Sequence, residues 1–301
     1  MQNRAGAKLI IALILLSFLG GFQGLAQNSN SQLEHISTTR LPKGDPLMGG
    51  ISAVEIYDQG RSVILLSDRG AWTSGKIERD GAEKITGFKL APMQPLRDGK
   101  GKPLERPFND SEGIALGKDG SLFVSFEGQT RIAKYAGLDQ PAQSIKGPEA
   151  FESMSINGGL EALAIDDKGR LFTLPEDPKT AHFPVYILDR VKWSQTFELP
   201  RRGEFLPVGA DFGPDGRIYL LERAFYGLGG FASRIRVFDL STTGITSEQT
   251  LLTTGRGEFD NLEGISVWQD AQGSIRISLV SDNNFLFLLR HQIVEYRLKG
   301  H

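Results

Sequence analysis

The residues best suited to chemistry in this chain are carboxylates that return at fixed places in a repeated phrase. Glu112, Glu161, Asp211 and Glu263 each lead an apolar run, next to Gly, Ala or Ser, and Asp68, Glu127, Glu176, Glu222 and Asp282 each close one. The chain has no cysteine, and its four histidines (His35, His182, His291 and His301) are scattered. Oxygen donors in that setting suit a hard cation such as Ca²⁺ or Mg²⁺; they do not suit a thiolate or histidine-rich site. Carboxylates that converge raise one another's pKa unless a cation compensates. Asn261, Asn283 and Asn284 add neutral oxygens beside Glu263 and Asp282. Arg69 and Arg223 directly follow two closing acids, where each can pair with an acid or hold an anionic group. Tyr226 lies in a Gly-rich segment just after Arg223, placed either to line a site or to pack on the surface.

The same pattern also has a plainer meaning. A repeated acid beside Gly can cap a turn or bond the neighbouring backbone, giving every repeat one scaffold contact. The turn acids Asp119, Asp167 and Asp215 read that way. Glutamate gains little from such local capping, which makes Glu112, Glu161 and Glu263 the stronger candidates for function. The expected metal ligands are Glu112, Glu161, Asp211, Glu263, Asp282 and Asn283.

The elements that must position these acids are hairpins. Asp110-Ser111-Glu112-Gly113-Ile114-Ala115-Leu116 leads through Lys118-Asp119-Gly120 into Leu122–Glu127. The phrase recurs from Gly159 through Asp167-Lys168-Gly169 to Glu176, from Gly209 through Asp215-Gly216 to Arg223, and from Asn261 through Gln272-Gly273 to Asp282. A divergent first copy runs from Gly49 through Gln59-Gly60 to Asp68. The lead positions 52, 112, 161, 211 and 263 are spaced 60, 49, 50 and 52 residues apart. A period near 50 built from short strands and Gly turns is that of a β-propeller blade. Further strand-like text after each copy, such as Arg131–Tyr135 and Val185–Leu188, supplies the outer strands. In a hairpin the start of the first strand lies beside the end of the second, and blades are related by rotation. The leading and closing acids of all copies are therefore expected on one face. The fold class is all-β, a propeller of five or six blades of four-stranded antiparallel sheets, with the stretch from Gly75 to Asn109 either a loop or a degenerate sixth blade. Leu33 to Leu41 is expected to close the ring on the last blade, which protects the sheet edges.

Residues 1–26 read as a secretory signal peptide. Arg4 and Lys8 precede an 11-residue apolar run, Leu9 to Leu19, which is broken only by Ser17, and Gly24-Leu25-Ala26 offers small residues for cleavage. The run falls well short of the ~20 residues that span a bilayer. Residues 27–301 form one domain of ordinary globular composition, 40% hydrophobic and 23% charged over the whole chain, enough to build a core without staples. Export places the mature protein in the periplasm or the medium, with no membrane attachment after cleavage. Its balance is then 32 basic against 36 acidic residues, which argues against a nucleic-acid partner. No G-x-S-x-G elbow, phosphate-binding loop or dinucleotide fingerprint occurs. Nothing in the sequence bears on oligomeric state.

In their order, Gly49-Gly50-Ile51-Ser52, Ser67-Asp68, Asp110-Ser111-Glu112-Gly113-Ile114-Ala115, Gly159-Leu160-Glu161-Ala162-Leu163, Leu221-Glu222-Arg223, Asp260-Asn261-Leu262-Glu263-Gly264 and Ser281-Asp282-Asn283-Asn284-Phe285 resemble the bacterial phytase-like family, the "esterase-like activity of phytase" domain. The resemblance runs from about Gly49 to Arg290. It implies an exported propeller that hydrolyses phosphate or carboxylic esters. Two departures stand out. Ala53-Val54 replaces the family's Gly-Leu, and Asn283 replaces the second Asp of an Asp-Asp-Asn-Phe phrase, which removes one charge from the expected metal site. The reading is a Ca²⁺-dependent esterase or phosphoesterase acting on a small-molecule substrate. Glu161 would serve as general base, Arg223 would hold the anionic group, and Arg69 and Tyr226 would contact substrate. The alternative is a non-catalytic periplasmic binding or scaffold module whose acids are blade-to-blade contacts.

Overall fold

The structure, a computed structural model, describes residues 32–154, 158–242, 244–285 and 289–300; the expected signal peptide lies outside them. The paired inner strands of each blade follow from apolar runs joined by Gly turns. An entry strand, β1 (Leu33–Arg40), precedes the first blade of β2 (Ile51–Tyr57), β3 (Ser62–Ser67), β4 (Ala71–Arg79), β5 (Ile85–Leu90) and the short β6 (Gln94–Pro95). The second blade is β7 (Ser111–Leu116), β8 (Leu122–Phe126), β9 (Arg131–Tyr135) and β10 (Gln143–Ile145). The third is β11 (Leu160–Ile165), β12 (Leu171–Pro175), β13 (His182–Asp189) and β14 (Lys192–Pro200). The fourth is β15 (Leu206–Phe212), β16 (Ile218–Phe225), β17 (Phe231–Ser241) and β18 (Gly244–Thr253). The fifth is β19 (Asn261–Gln269), β20 (Ile275–Asp282) and β21 (Gln292–Leu298).

Each blade is an antiparallel meander, and the ring has five blades. The stretch from Gly75 to Asn109 makes no sixth. It finishes β4, supplies β5, and lays β6 against the start of β4. The fifth blade is completed by β1, which pairs with β21 from Leu33↔Leu298 to Arg40↔Gln292, so the two ends of the domain close one sheet as expected. The inner strands β2, β7, β11, β15 and β19 contact one another in succession around the axis.

Stability comes from five apolar clusters, one between each pair of adjacent blades. Ile218 and Leu220 of β16 pack with Phe172 and Leu174 of the third blade. Tyr219 and Leu221, pointing the other way, pack with Ile277 and Leu279 of the fifth. A strand buried on both faces therefore reads as an unbroken apolar run. The hairpin turns take the left-handed backbone that Gly tolerates, with φ of +80° at Gly120 and +78° at Gly169.

Two buried ionic clusters sit within this frame. Glu222, fully buried, accepts from Arg234 Nε at 2.7 Å and from Arg236 Nη2 at 2.6 Å. Glu295, also fully buried, accepts from Arg79 at 2.7 and 2.8 Å and from Ser278 Oγ at 2.9 Å, with Arg276 also in reach at 3.4 Å. Glu222 is thus committed to the interior of its blade and does not join the acidic face expected from the sequence.

Candidate functional site

All five inner strands carry a β-bulge near their start. The register breaks between Ile51 and Ala53, Ser111 and Ile114, Leu160 and Ala162, Pro207 and Gly209, and Leu262 and Gly264. A bulge leaves an extra residue unpaired and re-aims its side chain. The residues so placed are Ser52, Glu112 (with Gly113), Glu161, Val208 and Glu263. The second strand of each hairpin supplies the residue that follows the partner of the last regular pair before the bulge. Those residues are Asp68, Glu127, Glu176, Arg223 and Asp282. One end of the propeller axis therefore gathers two rings, Ser-Glu-Glu-Val-Glu and Asp-Glu-Glu-Arg-Asp. Seven carboxylates face one guanidinium. The Gly after the bulged Glu has a packing reason: a Cβ on Gly113 would lie 2.8 Å from the Glu161 carbonyl oxygen, and one on Gly264 would lie 2.8 Å from Ala53 Cα. Between the inner strands lies a void of about 10 Å³ bordered by Ser52, Glu112, Glu161, Val208 and Gly264, the size of one water.

The fourth blade breaks the pattern. Its bulge carries Val208, and Arg223, one residue after Glu222, takes the closing position. Because side chains alternate along a strand, that single step separates a site residue from a core one. Arg223 donates to Glu176 Oε1 at 3.0 Å, to Asn261 Oδ1 at 2.7 Å and to Glu263 Oε1. Asn261 Nδ2 donates in turn to Glu263 at 2.7 Å. The carboxylates around Arg223 stabilise its charge and raise its pKa although burial opposes this. Arg223 thus joins the third and fifth blades across the mouth.

The other acids divide by what reaches them. Asp282 takes the Asn284 amide at 2.6 Å. Glu127 Oε1 takes the Gly158 amide at 2.7 Å. Glu112 and Glu161 receive no hydrogen bond and no ion pair among the described residues, although Glu161 is only 9% exposed. Burial first, and then Glu161, Glu263, Glu127 and Asp110, push the Glu112 carboxyl well above its ordinary range. Burial and Glu176 do the same to Glu161, against the pull of Arg223. Burial holds Glu263 up to about 7, and Asp68, Glu127 and Asp282 each to about 6. Asp110, missed by the spacing argument, joins Glu112 and Glu127 in a trio whose oxygens lie within 4.8 Å of one another; Glu127, Glu161 and Glu176 form a second such trio.

The expected metal set is therefore gathered only in part. Glu112, Glu161, Glu263 and Asp282 meet at this mouth. Asn283 lies beside them, but its Oδ1 is taken by the amides of Gly50 at 3.0 Å and Phe285 at 3.2 Å, which makes it a loop clasp. Asp211 stands apart, because its strand begins at Leu206 and its bulge is at Val208, which carries Asp211 toward the far end. There it accepts from Val267 N of the next blade at 2.6 Å and from Phe212 N at 2.7 Å. Glu55 takes Leu116 N at 2.9 Å and Ser266 Oγ takes Ile56 N at 2.9 Å in the same manner. These are blade-to-blade clasps bordering a wider cavity of about 800 Å³ at the opposite mouth, which Lys118, Lys168 and Arg170 also line. Arg69 lies over the Phe285 ring, its guanidinium carbon 3.2 Å from the ring centre. Tyr226 stacks under Arg256 at 3.8 Å, on the hairpin turn beyond Arg223 where Phe225 and Leu228 are exposed.

The phytase-like family, described as esterase-like activity of phytase, matches residues 46–285, and the chain belongs to it. A search of curated proteins finds no match. Among solved structures the chain is similar to the catalytic domain of a Coprinopsis cinerea GH62 α-L-arabinofuranosidase, at 12% identity and a TM-score of 0.52 over 89% of this chain and 97% of that one. It is also similar to the α-L-arabinofuranosidase PaAbf62A of Podospora anserina, at 14% identity and a TM-score of 0.48 over 89% and 96%. A third is the calcium-binding protein regucalcin of Agrobacterium tumefaciens, at 17% identity and a TM-score of 0.46 over 85% and 78%. At these identities the likeness is one of fold.

Proposed function

We propose that the protein is an exported hydrolase of phosphate or carboxylic esters that works with a divalent cation, Ca²⁺, at the carboxylate mouth. The observation that carries this reading is that Glu112 and Glu161 stand among other acids with no ion pair and no hydrogen bond among the described residues, Arg223 acting on Glu161 only at a distance. Family membership supports the ester class. The donors are all oxygen, as a hard cation requires, and Asp110, Glu112, Glu127, Glu161 and Glu176 would hold it. When bound, the ion polarises the ester oxygen and lowers the pKa of a bound water. Glu161, which no hydrogen bond among the described residues ties down, accepts a proton from the attacking water as general base. Arg223, already bonded to Glu176, Asn261 and Glu263, positions those side chains, and an anionic substrate group would have to share it. Arg69 and Tyr226 contact the remainder of the substrate at the rim. A signal peptide at residues 1–26 would direct the protein to the periplasm or the medium.

A non-catalytic binding or scaffold module is the competing reading. The clasps of Glu55 and Asp211 favour it, since those acids do serve as blade-to-blade contacts. Thermal melts with EDTA and with added Ca²⁺, followed by a screen of aryl esters and aryl phosphates, separate the two. The hydrolase reading expects Ca²⁺ to raise the melting temperature by mass action, and one substrate class to be turned over only with the ion present. A melt indifferent to both additions, with no turnover, would leave the scaffold.

A further inference from the structure

Two acidic trios at the mouth share one residue. Asp110, Glu112 and Glu127 offer oxygens within 4.8 Å of one another, and so do Glu127, Glu161 and Glu176. The trios are built alike. Each contains one bulged inner-strand glutamate that accepts no hydrogen bond among the described residues, Glu112 in one and Glu161 in the other. Each contains one acid with an arginine acting on it from outside, Asp110 with Arg106 and Glu176 with Arg223, which donates to it at 3.0 Å. Glu127, the common member, gives one oxygen to the Gly158 amide at 2.7 Å. A carboxylate has about four lone-pair positions, so one bond from the backbone leaves it able to serve two neighbours. Outer hydrogen bonds of this kind orient ligands that a metal then completes.

We infer that the mouth holds two divalent cations, one in each trio, with Glu127 as the ligand they share. The inference rests on the proposed metal reading and extends it. Two observations carry it: the shared residue, and the Glu161 carboxylate, 9% exposed, without a hydrogen bond among the described residues and set among the oxygens of Glu127 and Glu176. Charge points the same way. The two rings and Asp110 bring eight carboxylates together against Arg223, with Arg69 acting on Asp68 and Arg106 on Asp110, and a single divalent ion leaves most of that excess in place. Glu263 and Asp282 belong to neither trio, because Arg223 and Asn261 already supply their donors. Three carboxylates per ion fall short of the 6–8 oxygens Ca²⁺ takes, which leaves positions at each ion for water or substrate.

The test is a count of ions. Purified protein stripped with EDTA is dialysed against Ca²⁺, and bound metal is measured by elemental analysis, with affinities from calorimetry. Two ions per chain are expected. Glu112→Gln and Glu176→Gln should each lose one ion and keep the other. Glu127→Gln should weaken both at least tenfold. One ion in the wild-type protein, unaffected by Glu112→Gln, would overturn the pair and leave the single-cation reading standing. No ion would overturn both. Two ions with only one weakened by Glu127→Gln would overturn the sharing. Circular dichroism of the stripped variants separates lost binding from lost fold: a variant that melts as cooperatively as the parent has lost a ligand, and an unfolded variant is replaced by the Ala substitution at the same site, judged by the same ion counts.

Discussion

Glu222 and Glu161 are both buried glutamates on hairpins of this propeller, and the protein treats them in opposite ways. Glu222 lies within the fourth blade with both oxygens taken by Arg234 and Arg236, and Glu295 has the same arrangement with Arg79 and Arg276. Glu161 and Glu112 lie at the axis with other carboxylates for company and no arginine bonded to either. Where this fold uses a buried carboxylate as structure, it supplies the donors from its own chain: arginines for Glu222 and Glu295, backbone amides for Glu55 and Asp211. Where it leaves carboxylates uncompensated, it gives up stability that ordinary mutation could recover, and functional sites are where such sacrifices persist. The contrast separates an acid that builds the blade from an acid kept open for something that binds it.

The most disruptive way to probe the contrast is on the compensated side. Glu222→Gln leaves Arg236, fully buried, with Glu248 alone, and takes from Arg234 the acid it pairs with. Removing one partner of a buried pair costs about 3–5 kcal/mol, which lowers the melting temperature by roughly 10 °C in a domain of this size. The loss should be the same with EDTA or Ca²⁺, since this site holds its cations covalently in the chain. A Ca²⁺-dependent loss, measured by parallel melts, would place Glu222 in the metal site after all.

Acidity probes the open side, with a somewhat smaller effect. An acid whose pKa is higher folded than unfolded binds more protons when folded between those two values, so stability falls as pH rises through that window. Asp68 and Asp282 are raised from 3.8 to about 6, Glu127 from 4.5 to about 6 and Glu263 from 4.5 to about 7, which sets the window at about pH 4 to 7. At the far mouth Asp211, raised to about 7, adds to the same trend. His291, held down to about 4 by burial, runs the other way between about 4 and 6.5 and offsets one of these groups. Each displaced group is worth about 1.4 kcal/mol per pH unit, and the groups share one field, so the metal-free protein should be about 2–3 kcal/mol less stable at pH 7.5 than at pH 5. Ca²⁺ competes with those protons and should flatten the slope. Melts across that range in EDTA that rise with pH would mean the carboxylates are compensated by the chain itself.

Much of this contrast could be read in the sequence, and the part that could not has a definite physical cause. The period near 50, the Gly turns and the closing strand at Leu33–Arg40 gave away the ring, because each blade repeats one hairpin and its turn needs the same backbone. Glu112, Glu161 and Glu263 stood out because each bulge is followed by a small residue, and at Gly113 and Gly264 a neighbouring blade leaves no room for a Cβ. The fourth blade misled the spacing argument. Its Gly209-Ala210-Asp211 imitates the lead phrase, but β15 starts earlier and its bulge falls on Val208. On the partner strand the acid at Glu222 points inward while Arg223 takes the site position. A one-residue offset on a strand reverses which way a side chain faces, and sequence periodicity alone cannot fix it when both faces are buried. Glu127 and Glu176 were expected on the right face but not as ligands, since which of two adjacent hairpin positions comes closer to its neighbours depends on the bulge.

The mildest probe is the sharpest, because it predicts a change of sign. Glu161→Gln keeps the shape of a 9%-exposed side chain and removes a charge that burial and Glu176, with Glu263 and Glu127, oppose more than Arg223 favours it. Without metal this relieves repulsion, and the variant should be more stable than the parent at pH 7.5, by about 1 kcal/mol once solvent and protonation have softened the full Coulomb figure. With Ca²⁺ the order should invert, since the parent gains binding energy that the variant has lost. A structural glutamate behaves otherwise: its amide variant is destabilised in both conditions, as expected for Glu222→Gln. If Glu161→Gln melts below the parent in EDTA as well as in Ca²⁺, then Glu161 is held by the scaffold, and the distinction between the blade interiors and the mouth fails at the residue on which it most depends.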